Sequence, residues 1–477
     1  LSLKFGTSGL RGLSTDLVGK ASAVYATAFV RHLANKGWLA AEGRVLIGMD
    51  FRPSSPEIVM TCAGALAAEG YAPVDCGALP TPALAFKAIS EKAPALMVTG
   101  SHIPADRNGI KFYRPDGEID KQDELEISRI AAEIFEDQRF VMAAPLHGVN
   151  ESVEAMQQFT RRNRALLPVG SLSGLRIGVY QHSTVARDLF VELLGHAGAD
   201  VVALGRSDHF IPVDTEAVSP EAIALLRDWA RDHSLDAIIS ADGDGDRPLL
   251  TDEAGQPLRG DLIGLITARF LGAGVVVTPV TSNSGIEAAG DYTTIRTRVG
   301  SPFVIEGMQK AIAQGKTGVI GFEANGGLLT ASPFTVNGNL LAPLPTRDCF
   351  LPSFAVLLAA RAEKSGLKAY AARFRLPVAE ADRLENFPLE VSSALMSHLR
   401  GSATNLAAFV KPLGEVGAVS DIDGLRVTLK DGSVIHFRPS GNAPEMRCYV
   451  EAADDGAAKG LLARGLDLIR AFRQGHA

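Results

Sequence analysis

Short apolar runs recur along the chain, and each is followed by a polar loop. "RVLIGMD" (44–50), "LRIGVY" (175–180) and "GVVVTPV" (274–280) each predict a buried strand. The loops "FRPSSPE", "QHSTVAR" and "TSNSGIE" follow them. After the first two, "IVMTCAGALAAEG" and "DLFVELLGHAG" predict amphipathic helices; the third helix is short. A further helix then leads to a second apolar strand in each copy, "PALMVT", "LDAIIS" and "TGVIGF". Directly after those strands lie "GSHIPADRNG", "ADGDGDR" and "EANGG". Alternating strands and helices predict α/β domains, and loops at the carboxyl ends of such strands are where ligands bind. Three loops in one structural slot therefore predict one composite site.

The rest of the chain follows another plan. "LRVTL", the turn Lys430-Asp431-Gly432 and "SVIHFR" predict a hairpin. "RPSGNAPEM", the strand "RCYVEA" and the helix "GAAKGLLARGLDLIRAFR" complete an α+β unit. The charged helix "KQDELEISRIAAEIFEDQ" closes the first unit. We place domains at 1–145, 146–255, 256–366 and 367–477.

Composition narrows the class. The 477 residues are 46% hydrophobic and 21% charged, as in globular chains that build cores. A net charge of −7 argues against nucleic acid as the main partner. Cys62, Cys76, Cys349 and Cys448 are scattered, with no zinc spacing, which suits a reducing cytoplasm. The opening "LSLKFGTSGLRG" lacks a signal-peptide core, and no membrane partner is expected. "LIGLITARFLGAGVVVTPV" (262–280) approaches a membrane span in length, but Arg269, its glycines and Pro279 predict a helix ending near Gly272 and then a strand.

In "ADGDGDRP", Asp242, Asp244 and Asp246 alternate. Carboxylates that close repel one another unless a cation lies between them, and hard oxygen ligands select Mg²⁺, Ca²⁺ or Mn²⁺. An EF-hand would set Glu253 at its twelfth position, yet Arg247 stands where that loop needs glycine, and the flanks are strand-like. Mg²⁺ commonly completes its shell with phosphate oxygens, and Arg247 is placed to hold another. In "RPSGNAPEMR" (438–447), Arg438 and Arg447 flank Ser440, Gly441 and Asn442, a set suited to a second phosphate.

"TGSHIPADRNGIKFY" (99–113) pairs Ser101 with His102 and brings Lys111 behind them, outside the G-x-S-x-G frame of hydrolases. A serine beside a metal that lacks a phosphate ligand suggests that the serine carries the phosphate. At this point the chain resembles the α-D-phosphohexomutases, the phosphoglucomutase/phosphomannomutase superfamily. The motifs run in order: "FGTSGLRG" with Arg11, "TGSHIPADRNGIK" against T-A-S-H-N-P-x-x-x-N-G-x-K, D-G-D-G-D-R at 242–247, "GFEANGG" as a sugar-binding loop, and "RPSGNAPEMR" against R-P-S-G-T-E-P-x-x-R.

The resemblance implies three related α/β domains with mixed sheets and a C-terminal α+β, TATA-binding-protein-like domain around a central cleft. It implies that phospho-Ser101 phosphorylates a hexose 1- or 6-phosphate, giving a 1,6-bisphosphate that turns round and returns the other phosphate. Mg²⁺ would be held by Ser101 through its phosphate, Asp242, Asp244 and Asp246. Arg247 and Arg11 would assist, His102 and Lys111 would be the acid/base candidates, and Glu323 with Asn325 would bind sugar hydroxyls. Arg438, Ser440, Gly441, Asn442 and Arg447 would hold the distal phosphate. Ile103, Asn325, Asn442, Ala443 and Ser301 depart from common members, which bears on substrate more than on reaction class. A mannose phosphate substrate is favoured, with phosphoglucomutase and phosphoglucosamine mutase as alternatives and a hexose 1,6-bisphosphate as activator. A metal-dependent phosphatase or a non-catalytic sugar-phosphate sensor stands outside this class, though a degenerate sensor should have lost the serine or an aspartate. Monomer and dimer are both open.

Overall fold

The computed structural model describes residues 3–6, 9–440 and 444–475. They fall into two compact units. The first comprises residues up to 276 together with 300–373, and the second comprises 277–299 with 374 onward.

The first unit repeats one layout. Strand Arg44–Met49 lies between parallel strands Ala72–Ala78 and Ala95–Val98, and Arg107–Arg114 then adds antiparallel to Ala95–Val98. In a second sheet, Arg176–His182 lies between parallel Asp200–Arg206 and Ala237–Ala241, and Pro248–Thr251 closes it antiparallel. Val319–Phe322 and Leu328–Thr330 form the corresponding antiparallel pair of a third sheet, which continues to Leu344–Asp348. In the first two sheets the loop singled out by its chemistry is therefore the reversal between a parallel strand and its antiparallel neighbour, and in the third "EANGG" joins the corresponding antiparallel pair. Parallel strands need crossover connections, and helices such as Ser55–Ala68, Arg187–His196 and Pro220–Asp232 supply them.

Helix Ser55–Ala68 departs from the amphipathic expectation. From Ile58 to Leu66 nearly every residue is buried. The segment 140–146 crosses its outer side, where the Leu146 amide donates to the Met60 carbonyl at 3.1 Å. Its inner side joins the core built on Val24, Phe29, Val45, Ile47 and Phe112. The helix Lys121–Glu136 starts at a reciprocal cap, with Asp120 accepting from the Asp123 amide at 2.9 Å and Asp123 from the Asp120 amide at 3.0 Å. The apolar stretch 262–280 is divided as its glycines suggest. Helix Gly260–Leu271 ends at Gly272 with φ of 62°, and strand Val275–Pro279 follows. Among the described residues no helix is long and apolar enough to cross a membrane.

The second unit has a five-stranded antiparallel sheet in the order Val378–Leu384, Met446–Ala452, Val434–Pro439, Leu425–Leu429, Val416–Ser420. The expected hairpin is present, with Leu425 opposite Phe437 and Thr428 opposite Val434. Alternation sends Met446, Cys448 and Val450 into one core with Leu395, Leu399, Leu461 and Ile469 of the helices. Their neighbours Arg447, Tyr449 and Glu451 occupy the opposite face.

Candidate active site

Ser101 stands at the start of the loop after Ala95–Val98, fully buried and with φ of 55°. That left-handed backbone is costly for a residue with a side chain, so the surroundings must hold it. Arg52 does so. Its Nη2 donates to the carbonyls of Ser101 at 2.9 Å and Ile103 at 2.6 Å, and its Nη1 to those of Pro104 at 2.7 Å and Arg107 at 2.8 Å. Asp50 orients Arg52 through Nε at 3.2 Å and also accepts from Ser55 and Thr99 hydroxyls at 2.8 and 2.7 Å. The Thr99 hydroxyl in turn accepts from the Ser101 amide at 2.8 Å. The ring of Phe210, from the loop after Asp200–Arg206, lies 4.0 Å from the Arg52 guanidinium carbon.

The acidic loop meets this serine directly. Ser101 Oγ donates to Asp242 Oδ2 at 2.5 Å. Asp242 Oδ1 accepts from the Asp246 and Arg247 amides, both at 3.1 Å, so backbone donors fix the head of the loop. Gly245 supplies the left-handed turn with φ of 67°. At Gly243 a Cβ would come within 2.8 Å of the Ser101 carbonyl and 2.9 Å of the Phe210 ring, so only glycine admits so close an approach. Asp244 accepts from the Thr81 hydroxyl, and its carbonyl from the Thr81 amide at 2.8 Å. Lys111 Nζ donates to Asp244 Oδ2 at 2.6 Å and Asp246 Oδ2 at 2.5 Å.

The carboxylates of Asp242, Asp244 and Asp246 offer ligand atoms all within 4.8 Å of one another, and all three residues are buried. Asp244 Oδ1 and Asp246 Oδ1 are buried without a hydrogen-bond partner. Orphaned buried carboxylate oxygens are costly, and a hard divalent cation suits them. The donor set thus fits Mg²⁺, the ion that phosphohexomutases generally use.

Electrostatics separates the groups. Burial, then the like charges of Asp244 and Asp246, push Asp242 up to about 8. Burial acts the same way on Asp246, but Arg347, Lys111 and Arg247 outweigh it and hold the carboxyl well below its usual range. Burial disfavours the Lys111 charge, yet Asp244 and Asp246 overcome this and raise it above its ordinary value. Burial, then the Arg247 guanidinium, bring His102 down to about 3. His102 Nδ1 accordingly accepts, lying 2.9 Å from Arg247 Nη1 and 3.2 Å from Ser101 Oγ. Arg11, on strand Leu10–Leu13, is lowered to about 10 by burial and then by Arg247 and Arg347, which places it in the same field.

Glu323, in the loop after Val319–Phe322, is tied to this cluster by a residue that sequence reading missed. Arg347 Nη1 donates to Glu323 Oε2 at 3.1 Å, while its Nε and Nη2 donate to Asp246 Oδ2 at 3.1 and 2.9 Å. Asn325 turns inward, accepting from the Gly327 amide at 3.0 Å. Ser301 opens helix Ser301–Ala313 and donates to Glu118 at 3.2 Å. Arg52 was also missed, since "FRPSSPE" offered only a polar loop. A charged residue inside the strand Leu344–Asp348 was the one available signal for Arg347.

The other group lies in the second unit. Arg438 and Arg447 are directly opposite on neighbouring strands. Two cations so placed repel, which an anion would relieve. Asp423 accepts from Arg438 Nε at 2.9 Å, and Glu445 from Arg447 Nη2 at 3.3 Å. Ser440 is buried and its amide donates to the Glu445 carbonyl at 2.9 Å. Gly441 and Asn442, expected in the same cradle, lie outside the described residues.

Four phosphoglucomutase/phosphomannomutase models match in order: α/β/α domains I at 2–138, II at 153–255 and III at 259–375, and the C-terminal domain at 397–467. A phosphomannomutase of Sinorhizobium fredii is 53% identical over 466 residues, covering 98% of each chain. One from Salmonella muenchen is 41% identical over 457 residues, covering 94% of this chain and 92% of that one. The X-ray structure of a phosphoglucomutase/phosphomannomutase family protein from Burkholderia thailandensis shares the fold, with a TM-score of 0.76 at 21% identity over 98% of each chain. With a serine set against an aspartate triad, and matches that run through all four domains, the chain belongs to the phosphoglucomutase/phosphomannomutase family.

Proposed function

We propose that this chain is a phosphomannomutase that interconverts hexose 1-phosphate and hexose 6-phosphate through phospho-Ser101. The observation that carries the reading is the Ser101 hydroxyl held 2.5 Å from a carboxylate of the aspartate triad. In the forward half, the bond from phosphorus to Ser101 Oγ breaks and a new one forms to the free sugar hydroxyl. The hydroxyl proton passes by way of a base to the released Ser101 Oγ, and a 1,6-bisphosphate results. The sugar then turns, and its other phosphate returns to Ser101. Asp242, Asp244, Asp246 and the serine phosphate would hold Mg²⁺, which would supply charge neutralisation for the transferring group.

His102 and Lys111 take different parts. Lys111 is a cation held by two carboxylates, so it balances charge. His102 is neutral at physiological pH, its Nδ1 accepting from Arg247 Nη1 and lying 3.2 Å from Ser101 Oγ, so it is assigned the proton. The negative phosphate beside it would raise its proton affinity toward that task. Arg247 and Arg11 supply positive charge to the phosphoryl group. Glu323 binds the sugar hydroxyls, with Asn325 shaping its loop. Arg438, Ser440, Gly441, Asn442 and Arg447 hold the phosphate that is not reacting.

The names of the 53% and 41% identical relatives support mannose phosphate as substrate. Four free, buried cysteines support a cytoplasmic location. The test is turnover of mannose, glucose and glucosamine 1-phosphates with Mg²⁺ and a trace of hexose 1,6-bisphosphate as activator. Mannose 1-phosphate should give the highest kcat/KM. Preference for glucosamine 1-phosphate would overturn the substrate, and release of inorganic phosphate without isomerisation would overturn the reaction.

A further inference from the structure

Arg347 is 2% exposed, and its fork spans two loops with separate jobs. One edge, Nε and Nη2, grips Asp246 Oδ2, and Nη1 reaches Glu323 Oε2. Lys111 Nζ occupies the same Asp246 oxygen. Both cations thus converge on Oδ2, and Oδ1 is left buried without a hydrogen bond, with Arg247 Nε 3.7 Å away. The guanidinium therefore selects which oxygen of the metal loop is offered to a cation. Donors that hydrogen-bond to a metal ligand set the orientation in which it is offered.

The surrounding backbone is built for this contact. Strand Leu344–Asp348 pairs with Leu328–Thr330 through an irregular register, Leu328 opposite Asp348 but Thr330 opposite Leu344. Such a bulge re-aims side chains next to a site. At Gly327 a Cβ would stand 2.6 Å from Arg347 Cδ, so the sugar loop is cut away to admit the arginine stem.

We infer that Arg347 is a positioning residue that couples the metal loop to the sugar loop, so that hexose phosphate at Glu323 and a divalent cation at the aspartate triad tighten one another's binding. This rests on the proposed function, and it adds a residue and a linkage that none of the quoted motifs contains. By thermodynamic reciprocity the tightening must be the same factor in either order of addition. A simple charge would not suffice. One lysine ammonium cannot hold Asp246 and Glu323 with the same fork geometry.

The experiment is calorimetry on the Ser101→Ala enzyme, in which nothing is turned over. Mg²⁺ and mannose 1-phosphate are each titrated with and without the other. We expect mutual tightening of about five-fold or more, falling below about two-fold in Arg347→Met and Arg347→Lys. Each ligand alone should still bind the Lys variant, which keeps the charge and guards against loss of fold. A role in stability alone would weaken both ligands and leave the ratio intact. Undiminished tightening in the Lys variant, or none in the parent, would overturn the inference. Failure of the functional reading is distinct, since it would appear as lack of mannose 1-phosphate isomerisation by the unmodified enzyme.

Discussion

Arg52→Met tests how the Ser101 loop is held. The substitution keeps most of the stem volume but deletes donors to four loop carbonyls and strips Asp50 of its ion pair. Both charged groups are fully buried as side chains. Charged hydrogen bonds are worth roughly 1.5–3 kcal/mol each, but these four share one group and do not add. Breaking a buried pair by removing one partner costs about 3–5 kcal/mol. Asp50 is already raised by burial, so it takes up a proton once Arg52 is gone, which favours the lower end. A local cost of about 3 kcal/mol corresponds to roughly 150-fold more frequent opening. Amide hydrogen exchange reads this directly at Ser101, Ile103 and Arg107, whose amides donate within the loop. They should exchange on the order of 100-fold faster, while amides of helix Lys20–Asn35 keep their rates. Acceleration below about five-fold would refute the claim that Arg52 holds the Ser101 loop.

Three further outcomes follow from the geometry. Gly243→Ala sets a methyl 2.8 Å from the Ser101 carbonyl, and overpacking of about 1–3 kcal/mol should lower kcat/KM about ten-fold or more in steady-state assays. His182 and His436 are each depressed to about 4, chiefly by burial. The unfolded chain therefore binds protons that the folded chain refuses, and each group costs up to about 1.4 kcal/mol of stability per pH unit as pH falls from about 6.5 toward 5. Urea unfolding across that range should show the loss, and His436→Gln should remove its share. Glu323→Ala and Arg438→Ala should each cost about ten- to a hundred-fold in kcat/KM, but only Glu323→Ala should change the mannose-to-glucose ratio. A shifted ratio in Arg438→Ala alone would reverse the two assignments.

The periodicity of the chain showed the strand–helix repeats because each parallel-type strand is buried on both faces and bounded by polar loops. Ser101 and the aspartates were legible for a related reason, since their loops carry more charge and glycine than a turn requires. Helix Ser55–Ala68 was misjudged because a segment about eighty residues later covers its outer side, and local patterning contains no trace of that. Arg52 and Arg347 escaped notice because most of their partners are carbonyls and carboxylates of loops distant in sequence. The opposition of Arg438 and Arg447 was partly visible, since both flank one hairpin loop, but their registry across the strands was not.

The central claim is that Ser101 carries the phosphoryl group during turnover. Intact-mass measurement of the enzyme after brief exposure to a hexose 1,6-bisphosphate and Mg²⁺ tests it most directly, with fragmentation to locate the adduct. One phosphate is expected on Ser101, transferable to added mannose 1-phosphate, and neither adduct nor turnover in Ser101→Ala. Near-normal turnover in Ser101→Ala, or a phosphate carried on another residue, would contradict it.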